Sequence, residues 1–305
     1  MHVFVTGASG HLGSAVVPEL LEAGHKVVGL ARSEASAGAV SAAGAEPFRA
    51  TLDDLDALRE AAEAADGVIH LAYKHDEMFS GDATTAVDSD RQALQTFGQA
   101  LAGTGKPLVG TSGTLQLAFA GLGRTGTEAD VLESGPRVDA ENAVIALADN
   151  GIRSSVVRLP PTVHSSLDRH GFIPTLIDIA RKQGFSAYVG DGANRWPAGH
   201  TLDAARLYRL ALESAPAGSR LHAVGDEGIT FRTIAQAIGH NLGVPVTALT
   251  PDQAADNFGF LAALVQLDNP TSSMRTQKLL DWAPTHPGLL EDFAQGHYFD
   301  SPNES

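Results

Sequence analysis

The sequence predicts an α/β fold, a doubly wound parallel sheet with a smaller C-terminal lobe. Three observations predict it. A short apolar strand, a glycine-rich turn and a helical pattern follow one another at the N-terminus. Short apolar runs then alternate with helical patterns as far as Pro160. Beyond Pro160 the alternation becomes irregular.

Val3, Phe4 and Val5 mark a strand over 2–6. Leu12, Val16, Leu20 and Leu21 have helical spacing, so a helix is expected over 12–23 with Gly24 as its stop. A strand is expected over 26–30, and the alanine-rich run 35–45 reads as a helix and its exit. A helix over 52–65 would take Thr51 or Asp53 as its cap. Strands are expected over 67–71, 107–111 and 154–158, and helices over 90–102 and 139–149. Past Pro160, helices are expected over 173–183, 202–213 and 231–242, with helices and loops over 250–290.

The chain has 305 residues, enough for one large domain with a smaller lobe. Apolar residues make up 43% and charged residues 19%, as in soluble globular proteins. The formal net charge of −15 opposes nucleic acid and anionic membranes as partners. No cysteine is present, which excludes disulfides, thiolate nucleophiles and cysteine-ligated metals. No apolar run approaches the ~20 residues of a membrane span, and no signal-peptide pattern opens the chain. A cytoplasmic protein that takes a small-molecule substrate is expected.

The strongest motif is Thr6-Gly7-Ala8-Ser9-Gly10-His11-Leu12-Gly13, with a strand before it and a helix after it. That context identifies the dinucleotide-binding turn of a Rossmann fold. Gly7 permits the tight turn, Gly10 lets the backbone approach a pyrophosphate, and Gly13 allows helix to pack on strand. The helix N-terminus presents amides to phosphates. Gly7, Ser9, Gly10, His11, Leu12 and Gly13 are therefore candidate cofactor residues. Binders of NAD usually carry an acid at the end of the second strand. Here that place reads Ala31-Arg32-Ser33. Arg32 and Ser33 suit a 2′-phosphate, so NADP(H) is preferred, with NAD(H) as the alternative. The expected domains are 1–160 for the dinucleotide and 161–305 mainly for substrate, a discontinuous lobe with segments returning to the first domain.

These residues resemble the extended short-chain dehydrogenase/reductases, a family of epimerase/dehydratase-like proteins, along nearly the whole chain. Gly67-Val68-Ile69-His70-Leu71-Ala72 resembles the family's fourth strand, whose end passes the adenosine and ribose. Leu108-Val109-Gly110-Thr111-Ser112-Gly113 resembles the fifth, and Arg158-Leu159-Pro160-Pro161 the sixth with its turn under the nicotinamide. Gly190-Asp191-Gly192 and His200-Thr201-Leu202-Asp203 resemble segments of the substrate lobe, and 272–282 with Thr285 resembles the closing motif. The resemblance implies Leu71, Ala72, Thr111, Leu159 and Pro160 as cofactor contacts, with Leu52 beside them. It also implies a homodimer.

One departure concerns the chemistry. Typical members use a tyrosine and a lysine four residues later. Counting back from Glu141, those places hold Glu133 and Arg137, and no Tyr-x-x-x-Lys occurs anywhere. The chain looks like an atypical subgroup, although even there a histidine is expected in place of Glu133. Arg137 could hold the ribose and stabilise negative charge but not donate a proton. Tyr73 and His75 follow the fourth strand. In extended backbone they share a face while Lys74 points away, and either could protonate an alkoxide. Thr111 and Ser112 could bond the substrate oxygen. Tyr73, His75, Ser112 and Arg137 are thus the candidate catalytic residues.

The spacing of His164, His170 and His200 fits no zinc pattern, so no metal is expected. Ser165-Ser166 and Trp196-Pro197 are loop candidates for substrate contact. The leading expectation is an NADPH-dependent oxidoreductase acting on a small carbonyl or related unsaturated compound. Two others stand beside it: a non-catalytic NADP(H)-binding sensor, and a sugar-nucleotide-type epimerase or dehydratase.

Overall fold

Residues 1–80, 82–135 and 137–300 are described by a computed structural model. Seven strands form one sheet: β1 (His2–Thr6), β2 (Lys26–Ala31), β3 (Glu46–Arg49), β4 (Gly67–His70), β5 (Pro107–Gly113), β6 (Arg153–Leu159) and, after the lobe strands, β10 (Ser219–His222). Every pairing in it is parallel, in the order β10-β6-β5-β4-β1-β2-β3. The chain winds outward from β1 through β2 to β3. It then returns to the other side of β1 and continues from β4. The order therefore reverses between β1 and β4, and in open α/β sheets such a switch point marks the crevice at the carboxyl ends of the strands.

Helices cover both faces: α1 (Gly13–Glu22), α2 (Glu34–Ala42), α3 (Leu55–Ala64), α4 (His75–Ser80), α5 (Ala83–Leu101), α6 (Leu115–Phe119), α7 (Val138–Ala146) and, after α8 in the lobe, α9 (Thr201–Ser214). Burial follows the two-residue period of a strand. Val3 and Val5 join Val16 and Leu20 of α1 and Leu207 and Ala211 of α9. Phe4, between them, joins Leu58 of α3 and Phe97 of α5 on the opposite face. Thus β10 and α9 belong to the sheet layers although they lie past Pro160.

The smaller lobe holds β7 (Thr162–His164), β8 (Ser186–Val189), β9 (Arg195–His200), β11 (Asp226–Thr230) and β12 (Val246–Leu249). These pair as β11-β9-β7 and β12-β8. Around them lie α8 (Phe172–Gln183), α10 (Phe231–Leu242), α11 (Pro251–Phe258) and α13 (Leu289–Phe293), while α12 (Met274–Leu280) returns to β10 and α9. Ile173, Ile177, Trp196, Phe231, Ile234 and Phe258 form the lobe's own core.

Some expected boundaries move, for local reasons. The helix expected from 90 begins at Ala83, because the Asp82 carboxylate accepts the Thr85 amide 3.2 Å away and starts it earlier. Neither Thr51 nor Asp53 caps α3. Asp54 precedes it and accepts from the amide and hydroxyl of Thr51, while Asp53 pairs with Lys74. Strands β5 and β6 run on to a Gly113–Leu159 pairing. The short strands β3 and β10 went unforeseen, since four-residue runs mixing charged, polar and apolar side chains carry little periodicity.

A buried ionic knot fastens the β5–β6 side. Arg158 is wholly buried, and its Nε and Nη2 donate to the two Glu141 oxygens at 2.9 and 2.6 Å. Arg220 donates to the same carboxylate at 2.7 Å. Burial pushes the Glu141 carboxyl up, but the bonds from Arg158 and Arg220 outweigh it and hold it below the ordinary value. Removing one member of such a network strands the remaining charges out of water. Arg158→Met should therefore cost about 3 kcal/mol or more in urea unfolding. A loss under about 1 kcal/mol would show that the knot is not what holds this edge.

Candidate active site

The switch point gathers the glycine turn and the residues leaving β4. Gly7 has φ +70°, and a Cβ there would lie 2.8 Å from the Ala72 nitrogen. A Cβ on Gly13 would collide with the Gly7 carbonyl and with Ala8, so α1 packs directly on the turn. Ser9 and Gly10 are exposed, leaving that stretch of backbone open above the helix start. Leu71 and Ala72 flank the turn half-buried, and Leu52 lies beneath them among Phe4, Leu30 and Leu58.

The remaining cofactor candidates fall around this crevice. Arg32 follows β2 as an exposed side chain whose Nη2 lies 3.4 Å from the Asp76 carboxylate. The Ser33 hydroxyl is engaged in a capping box with Ser36 at the start of α2. The His11 ring reaches the Thr201 hydroxyl at 2.9 Å. Burial, then the neighbouring His164, push His11 down to about 4, so its ring is neutral near pH 7. Leu159 accepts the Thr114 amide at 2.9 Å, and Pro160 is buried behind it.

Of the catalytic candidates, three converge. The Arg137 guanidinium lies 4.3 Å over the Tyr73 ring. Tyr73 meets His75 edge to face at 5.2 Å. The two rings thus adjoin, but through a turn rather than extended backbone, since the His75 amide bonds the Tyr73 carbonyl at 3.0 Å. Lys74 turns away to Asp53 at 2.7 Å. The Tyr73 hydroxyl oxygen is buried without a hydrogen-bond partner among the described residues. Burial, then Arg137, push His75 below its ordinary value, so it is a neutral ring near pH 7 rather than an acid.

Arg137 is held from behind. Its Nη2 donates to the Thr111 carbonyl at 2.9 Å, and its Nη1 to Asp90 Oδ2 at 3.3 Å. The other Asp90 oxygen meets His70 Nε2 at 3.1 Å, and His70 Nδ1 meets the Thr6 hydroxyl at 2.7 Å. Sequence reasoning missed His70 and Asp90 as site residues. A histidine inside an apolar strand was the available signal, because a buried polar group needs partners. Nothing local pointed to Asp90, which comes from a helix 20 residues on.

Ser112 and Thr111 point to opposite faces. The Thr111 hydroxyl bonds the His70 carbonyl and the Tyr208 hydroxyl, at 2.7 and 2.8 Å. The Ser112 hydroxyl accepts from Gln116, which also donates to Glu141, so it belongs to the ionic knot. Glu133 is exposed, and only Arg137 of that spaced pair enters the crevice. Trp196 is not a loop residue; it is fully buried in β9 between Phe172 and Phe231, where an indole fills the lobe core.

The profile of the family described as "NAD dependent epimerase/dehydratase family" matches residues 3–106. An uncharacterized protein of Schizosaccharomyces pombe is 46% identical over 301 residues, 98% of this chain and 100% of that protein. The chain belongs to the NAD dependent epimerase/dehydratase family. A 4-hydroxy-2-methyl-3-oxo-4-farnesyl-3,4-dihydroquinoline-1-oxide ketoreductase of Stigmatella aurantiaca is 27% identical over 235 residues, 72% of this chain and 66% of that enzyme. The dTDP-glucose 4,6-dehydratase DesIV of Streptomyces venezuelae, solved with NAD and TYD bound, superposes with a TM-score of 0.77. That match covers 97% of this chain and 96% of DesIV at 20% identity, a likeness of fold.

Within this member of the family, a second polar cluster joins the lobe to the sheet domain. His200, Asp203 and His286 place ligand-type atoms within 4.8 Å of one another. Their geometry suits a helix lock better than a metal. Asp203 accepts from the Thr285 amide and from the amide and ring of His286. His200 Nδ1 accepts the Leu202 amide, and the two imidazoles stack 4.6 Å apart at 9°, so no ion could lie in both ring planes. Nearby, the Asp168 carboxylate accepts from the Tyr298 hydroxyl at 3.1 Å and from the Gly171 amide at 2.8 Å. His170 is exposed, as is Ser166, while Ser165 is buried against Thr201.

Burial raises the Asp168 carboxyl to about 6 against these bonds. The folded state then binds this proton more tightly than the unfolded chain, so its contribution is present at low pH. It is lost as pH rises from 3.8 through about 6. Asp168→Asn should be more stable than the parent by about 1–3 kcal/mol near pH 8, with the advantage vanishing near pH 4, in urea titrations across pH. A difference that does not change with pH would overturn this assignment.

Proposed function

We propose that this chain is an NADPH-dependent reductase that adds a proton, from Tyr73, to the oxygen of a small carbonyl compound. The observation that carries this reading is the buried Tyr73 hydroxyl, without a hydrogen-bond partner among the described residues, on a ring that the Arg137 guanidinium covers at the switch point. A buried hydroxyl without a partner costs about 1–3 kcal/mol, and a substrate oxygen would relieve that cost. The likeness to a ketoreductase adds support.

The residues fit a nicotinamide dinucleotide. The Gly10 backbone and the start of α1 would take the pyrophosphate, Arg32 a 2′-phosphate, and Arg137 the ribose beside the nicotinamide. When bound, the reduced cofactor supplies a hydride to the carbonyl carbon. Tyr73 gives its proton to the oxygen, so carbonyl becomes alcohol. Arg137 stabilises the negative charge that passes from the oxygen to the phenolate. Neutral His75, against the Tyr73 ring, fills the crevice wall and carries no competing charge. Ser112 has no part in this constellation.

A second reading, a cofactor-binding sensor without turnover, is favoured by the missing Tyr-x-x-x-Lys pair. NADPH consumption against a panel of aldehydes, ketones and enones separates the two. Turnover is expected, and Tyr73→Phe should lower kcat by about 100-fold or more while leaving NADPH binding intact. Binding without any turnover would favour the sensor.

The Arg32–Asp76 contact yields a further expectation. Arg32→Ala should weaken NADPH by about 10- to 100-fold and NADH little, whereas Asp76→Ala should tighten NADPH by freeing the guanidinium. Equal weakening of both cofactors by Arg32→Ala, read by fluorescence titration, would remove Arg32 from the 2′-phosphate site.

A further inference from the structure

We propose that Asp90 is the positioning residue of this site, dividing its carboxylate between His70 and Arg137 so that the guanidinium over Tyr73 is set by the glycine turn. The proposal rests on the reading of Arg137 as a cofactor and oxyanion group.

The argument starts from burial. Asp90 is 5% exposed and His70 2%, too little for either to be satisfied by water. Each therefore needs partners, and each has two. Asp90 Oδ1 faces His70 Nε2 at 3.1 Å, and Oδ2 receives Arg137 Nη1 at 3.3 Å. His70 turns its other nitrogen to the Thr6 hydroxyl at 2.7 Å. That hydroxyl also accepts the Ala72 amide at 3.2 Å, one residue before Tyr73, and Thr6 directly precedes Gly7. The path Thr6–His70–Asp90–Arg137–Tyr73 thus starts where the cofactor turn begins and ends at the proposed acid. Burial pushes the Asp90 carboxyl up, but its bonds to His70 and Arg137 outweigh this and keep it ionised at neutral pH.

Arg137 needs such an anchor. An arginine side chain has much rotamer freedom to lose, and while α7 fixes the backbone of Arg137 as its N-cap residue, nothing in that helix holds the guanidinium at its far end. Its second hold, the Thr111 carbonyl, is neutral and would let the fork pivot. The carboxylate fixes the second arm of the fork and offsets the guanidinium charge inside the crevice. His70 in turn fixes the carboxylate. His70 and Asp90 touch no reacting atom; they act through Arg137.

The test is a double-mutant cycle of Asp90→Asn and Arg137→Gln in the full-length protein, read in two ways. NADPH affinity is measured by fluorescence without substrate, and kcat and KM are measured with whichever carbonyl turns over. Each single variant is expected to lose about tenfold in NADPH affinity or in kcat, with KM for the carbonyl unchanged, and the double variant no more than Arg137→Gln alone. Multiplying losses, or an Asp90→Asn protein that matches the parent in both, would overturn the proposal. Melting midpoints keep a structural loss apart from a positioning one. If Asp90→Asn does not fold, Asp90→Glu retains the charge and misplaces it, and the same coupling is expected. The binding arm needs no substrate. Failure of the reductase reading therefore leaves the cycle decisive, and additive binding losses would overturn the positioning role even in an active reductase.

Discussion

The close approach at the sheet's switch point sets the terms for the rest of the molecule. The chain leaving β1 and the chain leaving β4 touch through Gly7 and Ala72, in a left-handed turn that has no room for a Cβ. This contact brings the Thr6 hydroxyl against both the Ala72 amide and the His70 ring. Parallel pairing of β1 with β4, from Val3–Gly67 to Thr6–His70, delivers these atoms in register. Cofactor turn and crevice residues are therefore one packed unit.

Two buried ionic groups then divide the carboxyl end of the sheet. Glu141, Arg158 and Arg220 lie on the α7 side, and they draw in Gln116 and with it Ser112. His70 of β4, Asp90 of α5 and Arg137 at the start of α7 meet instead at the crevice. Both follow one rule: a charge taken out of water is kept only where opposite charge and hydrogen bonds meet it. Their outcomes differ because Arg158 is wholly enclosed, while Arg137 remains half-buried with its flat face over an aromatic ring.

The lobe is tied to this frame by polar contacts rather than by a continuous apolar core. His11 on the glycine turn meets Thr201 at the head of α9, Ser165 meets the same hydroxyl, and Asp203 gathers the segment at Thr285 and His286. These joints are rich in imidazole and carboxyl groups whose burial shifts their titration, as at His11 and Asp168.

The fold class, the glycine turn and most helices were legible in the sequence, because periodic burial and glycine placement are local properties. So was the placing of Tyr73 and His75 just after the fourth strand, although a tight turn at Lys74, not strand alternation, brings their rings together. By itself the sequence determined which residues could do chemistry: a tyrosine and a histidine after the fourth strand, an arginine where a lysine is usual, and no acid after the second strand. Only the tertiary structure decided the strand order, the outward turn of Glu133, the inward turn of Ser112 to the ionic knot, and the meeting of Asp90 with Arg137 across 47 residues. The physical reason is that a buried charge selects its partner by distance in the folded chain. That distance is fixed by sheet order and helix packing, which no stretch of neighbouring residues encodes.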